Sequence, residues 1–229
     1  MHDALFHDRQ SAGIQLAAVL QRYRASDPLI LALPRGGVPV AFEVACALEA
    51  ELDLLIVRKI GAPGYEEYGI GAVVDGAEPQ LVLNEAIVRQ LAPSPNYIHD
   101  QFRKQLAEIE RRRRTYLGGR QPISSRGRTV IVVDDGIATG GTVRAGLRAL
   151  RKSDPARLVL AVPVAPAEAL SELRQECDEI ICLATPDPFY AVGAHYVDFT
   201  QTTDEEVISL LDRATAFRGS AQAGPPHRD

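Results

Sequence analysis

The run Val130-Ile131-Val132-Val133 constrains the fold more than any other stretch of the chain. Four β-branched residues in a row suit a strand buried on both faces, the kind found in parallel sheets. Asp134-Asp135 stand at its end, followed by the turn Gly136-Ile137-Ala138-Thr139-Gly140-Gly141-Thr142 and a helical pattern over residues 143–151. Ligands of open α/β sheets bind beside the carboxyl ends of the strands. The stretch therefore puts two acids and a phosphate-sized loop where a site belongs.

The rest of the chain supplies the remainder of such a sheet. Helical spacing covers residues 9–24, and the apolar run 29–33 predicts a buried strand that stops at Pro34-Arg35-Gly36-Gly37. Residues 38–49 read as a helix with Pro39 tolerated in its first turn. Residues 52–57 read as a second strand ending in Arg58-Lys59. Glycine and proline make residues 61–69 loop-like, while 70–74 and 80–83 suggest a hairpin through Asp75-Gly76. A short helix at 84–91 and a long charged one at 97–116 precede the central strand. After it come a helix (142–152), a strand (157–162), a helix (166–175), a strand (179–183) and a last helix near 204–217. The expected fold is α/β: a doubly wound, mainly parallel sheet flanked by helices, in a single domain over 1–217 with a disordered tail at 218–229.

Composition narrows the classes of function. With 229 residues, 46% hydrophobic and 24% charged, the chain has ordinary globular values, and its net charge of −5 offers no electrostatic invitation to nucleic acid. No apolar run approaches the roughly 20 residues that cross a bilayer, so no membrane partner is expected. The N-terminus lacks the pattern of a signal peptide, and Cys46, Cys177 and Cys182 lack CxxC spacing. Both point to a cytoplasmic protein with reduced thiols. The five histidines show no metal spacing; His195, near several aromatics, is the one retained as a site candidate. Arg111 to Arg114 spread around a whole helical turn after Glu108 and Glu110, which reads as a solvated face with intrahelical pairs rather than a nucleic-acid surface.

The central stretch has its own chemistry. Backbone N–H groups from Ala138 to Thr142 at a helix start suit a phosphate, with the Thr139 and Thr142 hydroxyls beside them and Gly140 and Gly141 permitting close approach. Asp134 and Asp135 suit the hydroxyls of a ribose and the water shell of a bound Mg²⁺, held through water. Paired aspartates also end strands in phosphate-accepting receiver domains, but that leaves Thr139-Gly140-Gly141-Thr142 without a role. A Walker loop is excluded because no Gly-Lys-Ser/Thr follows.

These residues resemble the phosphoribosyl-diphosphate signature of type I phosphoribosyltransferases, with one departure: Ala138 stands where many members carry Ser or Thr. The resemblance implies that the acid pair meets the ribose hydroxyls and the loop holds the 5-phosphate. Leu33-Pro34-Arg35-Gly36-Gly37-Val38 resembles the family's diphosphate loop, which often contains an unusual peptide geometry. That gives Arg35, Gly36 and Gly37 a donor-binding role. Arg58-Lys59-Ile60-Gly61 through Glu67-Tyr68-Gly69 is similar to a segment of purine-type members, which makes Lys59 a diphosphate contact and Tyr65, Glu66, Glu67 and Tyr68 candidate lid residues. A hood is expected at about 184–203, with Phe189 and Tyr190 as candidates to stack on the acceptor. The run from Phe189 to Gly193 and on to Gln201-Thr202-Thr203-Asp204-Glu205-Glu206 resembles a little-defined bacterial branch of the family. The activity implied is Mg²⁺-dependent transfer of phosphoribose from its diphosphate donor to a nitrogen nucleophile, with a nucleobase the first candidate. The rival is a regulatory protein that binds the donor as a signal. A homodimer would let one of the arginines at 111–114 reach a neighbouring subunit's diphosphate.

Overall fold

The computed structural model describes residues 4–222, except the side chains of Glu66, Glu67 and residues 219–222. In chain order the first half contains α1 (Arg9–Leu20), β1 (Leu29–Ala32), α2 (Gly37–Leu48), β2 (Glu51–Leu54), β3 (Val57–Ala62), β4 (Tyr65–Val74), β5 (Gln80–Leu83), α3 (Glu85–Leu91) and α4 (Pro95–Leu117). The second half contains β6 (Thr129–Val133), α5 (Gly141–Lys152), β7 (Arg157–Val164), α6 (Ala167–Leu173), β8 (Glu179–Ala184) and α7 (Asp204–Gln222).

Five strands form a parallel sheet in the order β2-β1-β6-β7-β8. Its central strands are buried on both sides, and alternate residues feed two cores. Ile30, Ala32, Ile131 and Val133 pack on one face with residues of α1, α2 and α7. Leu29, Leu31, Val130 and Val132 pack on the other with residues of α5 and α6. This two-sided burial is why the strands read as unbroken apolar runs. The expected doubly wound architecture is the one observed.

A second, antiparallel sheet of β3, β4 and β5 interrupts the pattern between β2 and β6. It corrects the expected single strand over 52–57. The chain leaves the parallel sheet after Leu54, crosses through Leu55 and Ile56, each 1% exposed, and starts β3 at Val57. The crossing lies inside the core, so hydrophobicity marks no boundary. Lys59 consequently sits on a hairpin strand rather than at the end of a parallel one. Residues 61–69 are likewise mostly strand: Pro63-Gly64 is a tight turn, and the pairing of β3 with β4 shifts register on both sides of Gly61. The hairpin through Asp75-Gly76 is present as expected.

Two further expectations change. Arg111 and Arg112 pair with Glu108 as a solvated face should, but Arg113 is buried, with ion pairs to Asp53 and Asp75. Helix α7 runs to Gln222, past the expected start of a disordered tail, and Arg218 ion-pairs with Asp27 and Glu51. The rest of that tail, 223–229, lies outside the described residues. Among the described residues no helix is long and apolar enough to cross a membrane.

Candidate functional site

The site sits where the sheet reverses. From β1 the chain moves outward to β2, and from β6 it moves the opposite way to β7, so the loops after β1 and β6 part at a shared carboxyl edge. The backbone N–H of Leu33 donates to the Val133 carbonyl at 2.9 Å and ties the two loops together. The Pro34–Arg35 peptide is cis, the unusual geometry that the resemblance anticipated. Gly36 and Gly37 then press the first loop onto the acids. A Cβ on Gly36 would lie 2.1 Å from Asp135 Oδ2, and one on Gly37 would lie 2.8 Å from the Val133 carbonyl oxygen and 3.0 Å from Asp134 Cα. Only glycine lets these loops meet this closely.

Asp134 and Asp135 are both partly buried, and they are paired unequally. Asp135 Oδ2 accepts a hydrogen bond from Arg9 Nε at 2.7 Å, with the two side chains 13% and 11% exposed. The Asp135 carbonyl accepts one from the Tyr196 hydroxyl at 2.5 Å. Asp134 Oδ1 accepts the Asp135 backbone N–H at 2.9 Å. Burial, compounded by the charge of Asp135, pushes the Asp134 carboxyl well above its ordinary range. Burial also raises Asp135, and Arg9 opposes that rise. The Tyr196 hydroxyl is raised as well, by burial and then by Asp135.

The phosphate-loop candidates occupy the next stretch of the same edge. Ile137 is anchored by its N–H to the Val164 carbonyl at 2.9 Å, after which Ala138, Thr139 and Gly141 are exposed and Thr142 half-buried. Gly140 caps α5 at φ 72°, a left-handed conformation that favours glycine. The first-turn N–H groups of α5 have no intrahelical acceptor and carry the positive end of the helix dipole.

The remaining candidates lie at varying distances from this centre. Lys59 is exposed and lines a cleft of about 260 Å³ with Gly69, Gly71, Gly141, Thr142, Arg144 and Arg148, which brings it to the flank of the candidate phosphate loop. Arg58 faces the other way and donates to Gln105 Oε1 at 3.1 Å. Arg35 is turned toward Asp204 at 3.4 Å. Tyr65 and Tyr68, 76% and 49% exposed, stand near the tip of the β3–β4 hairpin; the side chains of Glu66 and Glu67 lie outside the described residues. In the stretch expected to form a hood, Phe189 packs with the cluster of Phe6, Tyr196 and Phe199, its ring 5.1 Å from that of His195, while Tyr190 is 79% exposed. His195 also takes the Leu5 and Phe6 N–H groups on its carbonyl. Among the described residues no group of three or more His, Cys, Asp or Glu side chains is placed to hold a metal ion.

Sequence reasoning missed Arg9 and the role of Tyr196. Both reach the acids across more than 60 positions, and neither lies in a motif. The one local signal was Asp8, whose side chain caps α1 and fixes where Arg9 starts.

Residues 7–198 match the phosphoribosyl transferase domain, and the chain belongs to that family. It is 44% identical over 232 residues to a Mycobacterium tuberculosis protein provisionally named a phosphoribosyl transferase, found in two strains. That match covers 98% of this chain and 52% of the relative, so the chain spans about half the length of the curated relatives it matches. The crystal structure of TT1426 from Thermus thermophilus is 42% identical and superposes with a TM-score of 0.79, covering 90% of this chain and 97% of that one.

Proposed function

We propose that this domain binds 5-phosphoribosyl 1-diphosphate and transfers its phosphoribose to a nitrogen nucleophile, a nucleobase being the first acceptor to test. The observation that carries the reading is the meeting of the acid pair, the glycine loop after β1 and the open N-terminus of α5 at one sheet edge. The 5-phosphate would lie against Ala138 to Thr142, the ribose hydroxyls against Asp134 and Asp135, and the diphosphate beside Arg35, Gly36 and Gly37. Lys59 would approach from the β3–β4 hairpin, whose tip carries Tyr65 and Tyr68 as a lid. Phe189 and Tyr190 would bound the acceptor side.

The donor set fits Mg²⁺. Two adjacent carboxylates, only Asp135 forming an ion pair among the described residues, match an ion that keeps much of its water and completes its shell with ligand oxygens. Asp134 and Asp135 would hold it, and its charge would offset that of the departing diphosphate. In the transfer, a bond forms between the acceptor nitrogen and ribose C1 while the bond from C1 to the diphosphate oxygen breaks. The chain's contribution is to align the two partners, keep water from C1 and stabilise charge. The three cysteines are unpaired, which is compatible with a reducing compartment such as the cytoplasm.

The test is a screen of nucleobases and small amines with the donor and Mg²⁺, read by diphosphate release. Release with one acceptor class supports transfer and names the substrate. Donor binding without release across the whole panel would overturn transfer in favour of a donor-sensing regulator.

A further inference from the structure

We infer that Arg9 is a positioning residue that aims Asp135 at the ribose, delivered into the site by an N-terminal segment that forms part of the hood. The inference rests on the donor-binding reading above and adds a residue from outside its motifs.

The delivery is visible in the backbone. The N–H groups of Leu5 and Phe6 both donate to the His195 carbonyl at 3.0 Å. The Val197 N–H donates to the Phe6 carbonyl at 2.9 Å, and the Asp198 N–H to that of His7 at 2.7 Å. The Phe6 and Tyr196 rings pack at 5.4 Å. Asp8 then stops this extended segment and starts α1, accepting the Ser11 N–H at 2.7 Å while its own N–H donates to Ser11 Oγ at 3.0 Å. Arg9 is the first helical residue, so its backbone is fixed from both sides.

Its side chain is fixed as well. The guanidinium lies over the Phe199 ring at 3.9 Å and donates through Nη1 to the Thr200 carbonyl at 2.7 Å. Nε is left for Asp135 Oδ2 at 2.7 Å. A planar, multiply donating group meets these three demands at once, whereas an ammonium offers one charged point. The hood thus holds Arg9 in place without help from the acid.

The effect falls on Asp135. Its Oδ2 is walled by Arg9 on one side and by the Gly36 backbone on the other, and its carbonyl is held by Tyr196. With Oδ2 taken by Arg9, Oδ1 is the oxygen that this arginine leaves to receive a ribose hydroxyl. Arg9 therefore selects which carboxylate oxygen meets the ligand and fixes its direction.

Two probes separate this role from a general loss of structure: ribose 5-phosphate, which uses both acids and loop, and inorganic phosphate, which uses the loop alone. Titration calorimetry on the full chain should show Arg9→Ala binding ribose 5-phosphate roughly tenfold or more weakly, the scale of a lost charge-assisted hydrogen bond. Phosphate binding should stay within about twofold, because the loop is untouched. Arg9→Lys should recover part of the loss, and Phe199→Leu should show a smaller loss of the same pattern. Unchanged or tighter ribose 5-phosphate binding by Arg9→Ala would overturn the inference, as would equal weakening of both probes. Wild-type protein that binds neither probe would instead sink the donor-binding reading itself.

Discussion

Two aspartates and one arginine meet twice in this molecule, with opposite results. In the first cluster Arg113 bridges β2 and the β4–β5 turn, reaching Asp75 at 2.6 Å and both oxygens of Asp53 at 3.1 and 3.3 Å. Asp53 also accepts the N–H groups of Leu54 and Ile123, so its oxygens are fully used. All three residues are less than 10% exposed. In the second cluster Arg9 forms its ion pair with Asp135, and Asp134 takes the N–H of Asp135 but forms no ion pair among the described residues. The same residue types make a closed structural joint in one place and an acid pair short of positive charge in the other. Buried acids lacking a partner raise the free energy of the empty protein, and a site can recover that energy by binding hydroxyls or a cation.

Breaking the joint should have the largest effect. Arg113→Ala leaves two buried carboxylates unpaired and should cost about 3–5 kcal/mol of stability, read by urea unfolding. Donor affinity at a temperature where the variant stays folded should change little. A small loss of stability would mean that the cluster admits water and that the contrast with the site is weaker than the distances imply.

The acid pair should respond the other way. Asp134→Asn with Asp135→Asn should abolish Mg²⁺-dependent donor binding, since charge-assisted hydrogen bonds contribute about 1.5–3 kcal/mol each. Stability should move oppositely. Burial raises the folded-state pKa of Asp134 above 3.8, so the folded protein holds this proton to a higher pH than the unfolded chain does. Stability therefore falls as pH climbs between the two values, and Asp134→Asn alone removes that fall. Its melting temperature at neutral pH should exceed that of the wild type. An equal or lower value would show that the carboxylate is not strained.

A smaller change should come from Gly36→Ala. The added methyl would displace Asp135 Oδ2 from Arg9, an overpacking cost of about 1–3 kcal/mol, seen as weaker ribose 5-phosphate binding with a modest loss of stability. Unaltered binding would show that the two loops separate freely.

The same contrast explains what the sequence could disclose. The framework of the candidate site was legible because its parts are contiguous: Val130 to Val133 make the strand, Asp134-Asp135 its end, and Ala138 to Thr142 the loop. The Pro34 to Gly37 loop was legible by the same logic, once a first parallel strand was expected before it. Arg113 was not, because four arginines in succession look alike along a helix, and only Asp53 and Asp75, 60 and 38 positions away, single one out. Leu55-Ile56 hid a change of sheet because both sheets share the apolar interior that the pair crosses. Arg9 was invisible for the reason that makes it useful, since its partners Asp135, Phe199 and Thr200 all lie more than 120 positions further along the chain.

That separation orders the making of the site in time. Arg9 precedes Asp135 by 126 residues and Thr200 by 191. Synthesis runs from the N-terminus, so the arginine emerges well before its perch at Phe199 and Thr200. The parallel strands and the loop after β6 can collapse together earlier, but contacts spanning such distances wait until residue 200 has been made. A nascent domain would accordingly hold an acid pair that is built but not yet aimed, and binding competence would arrive as a late event in the protein's birth.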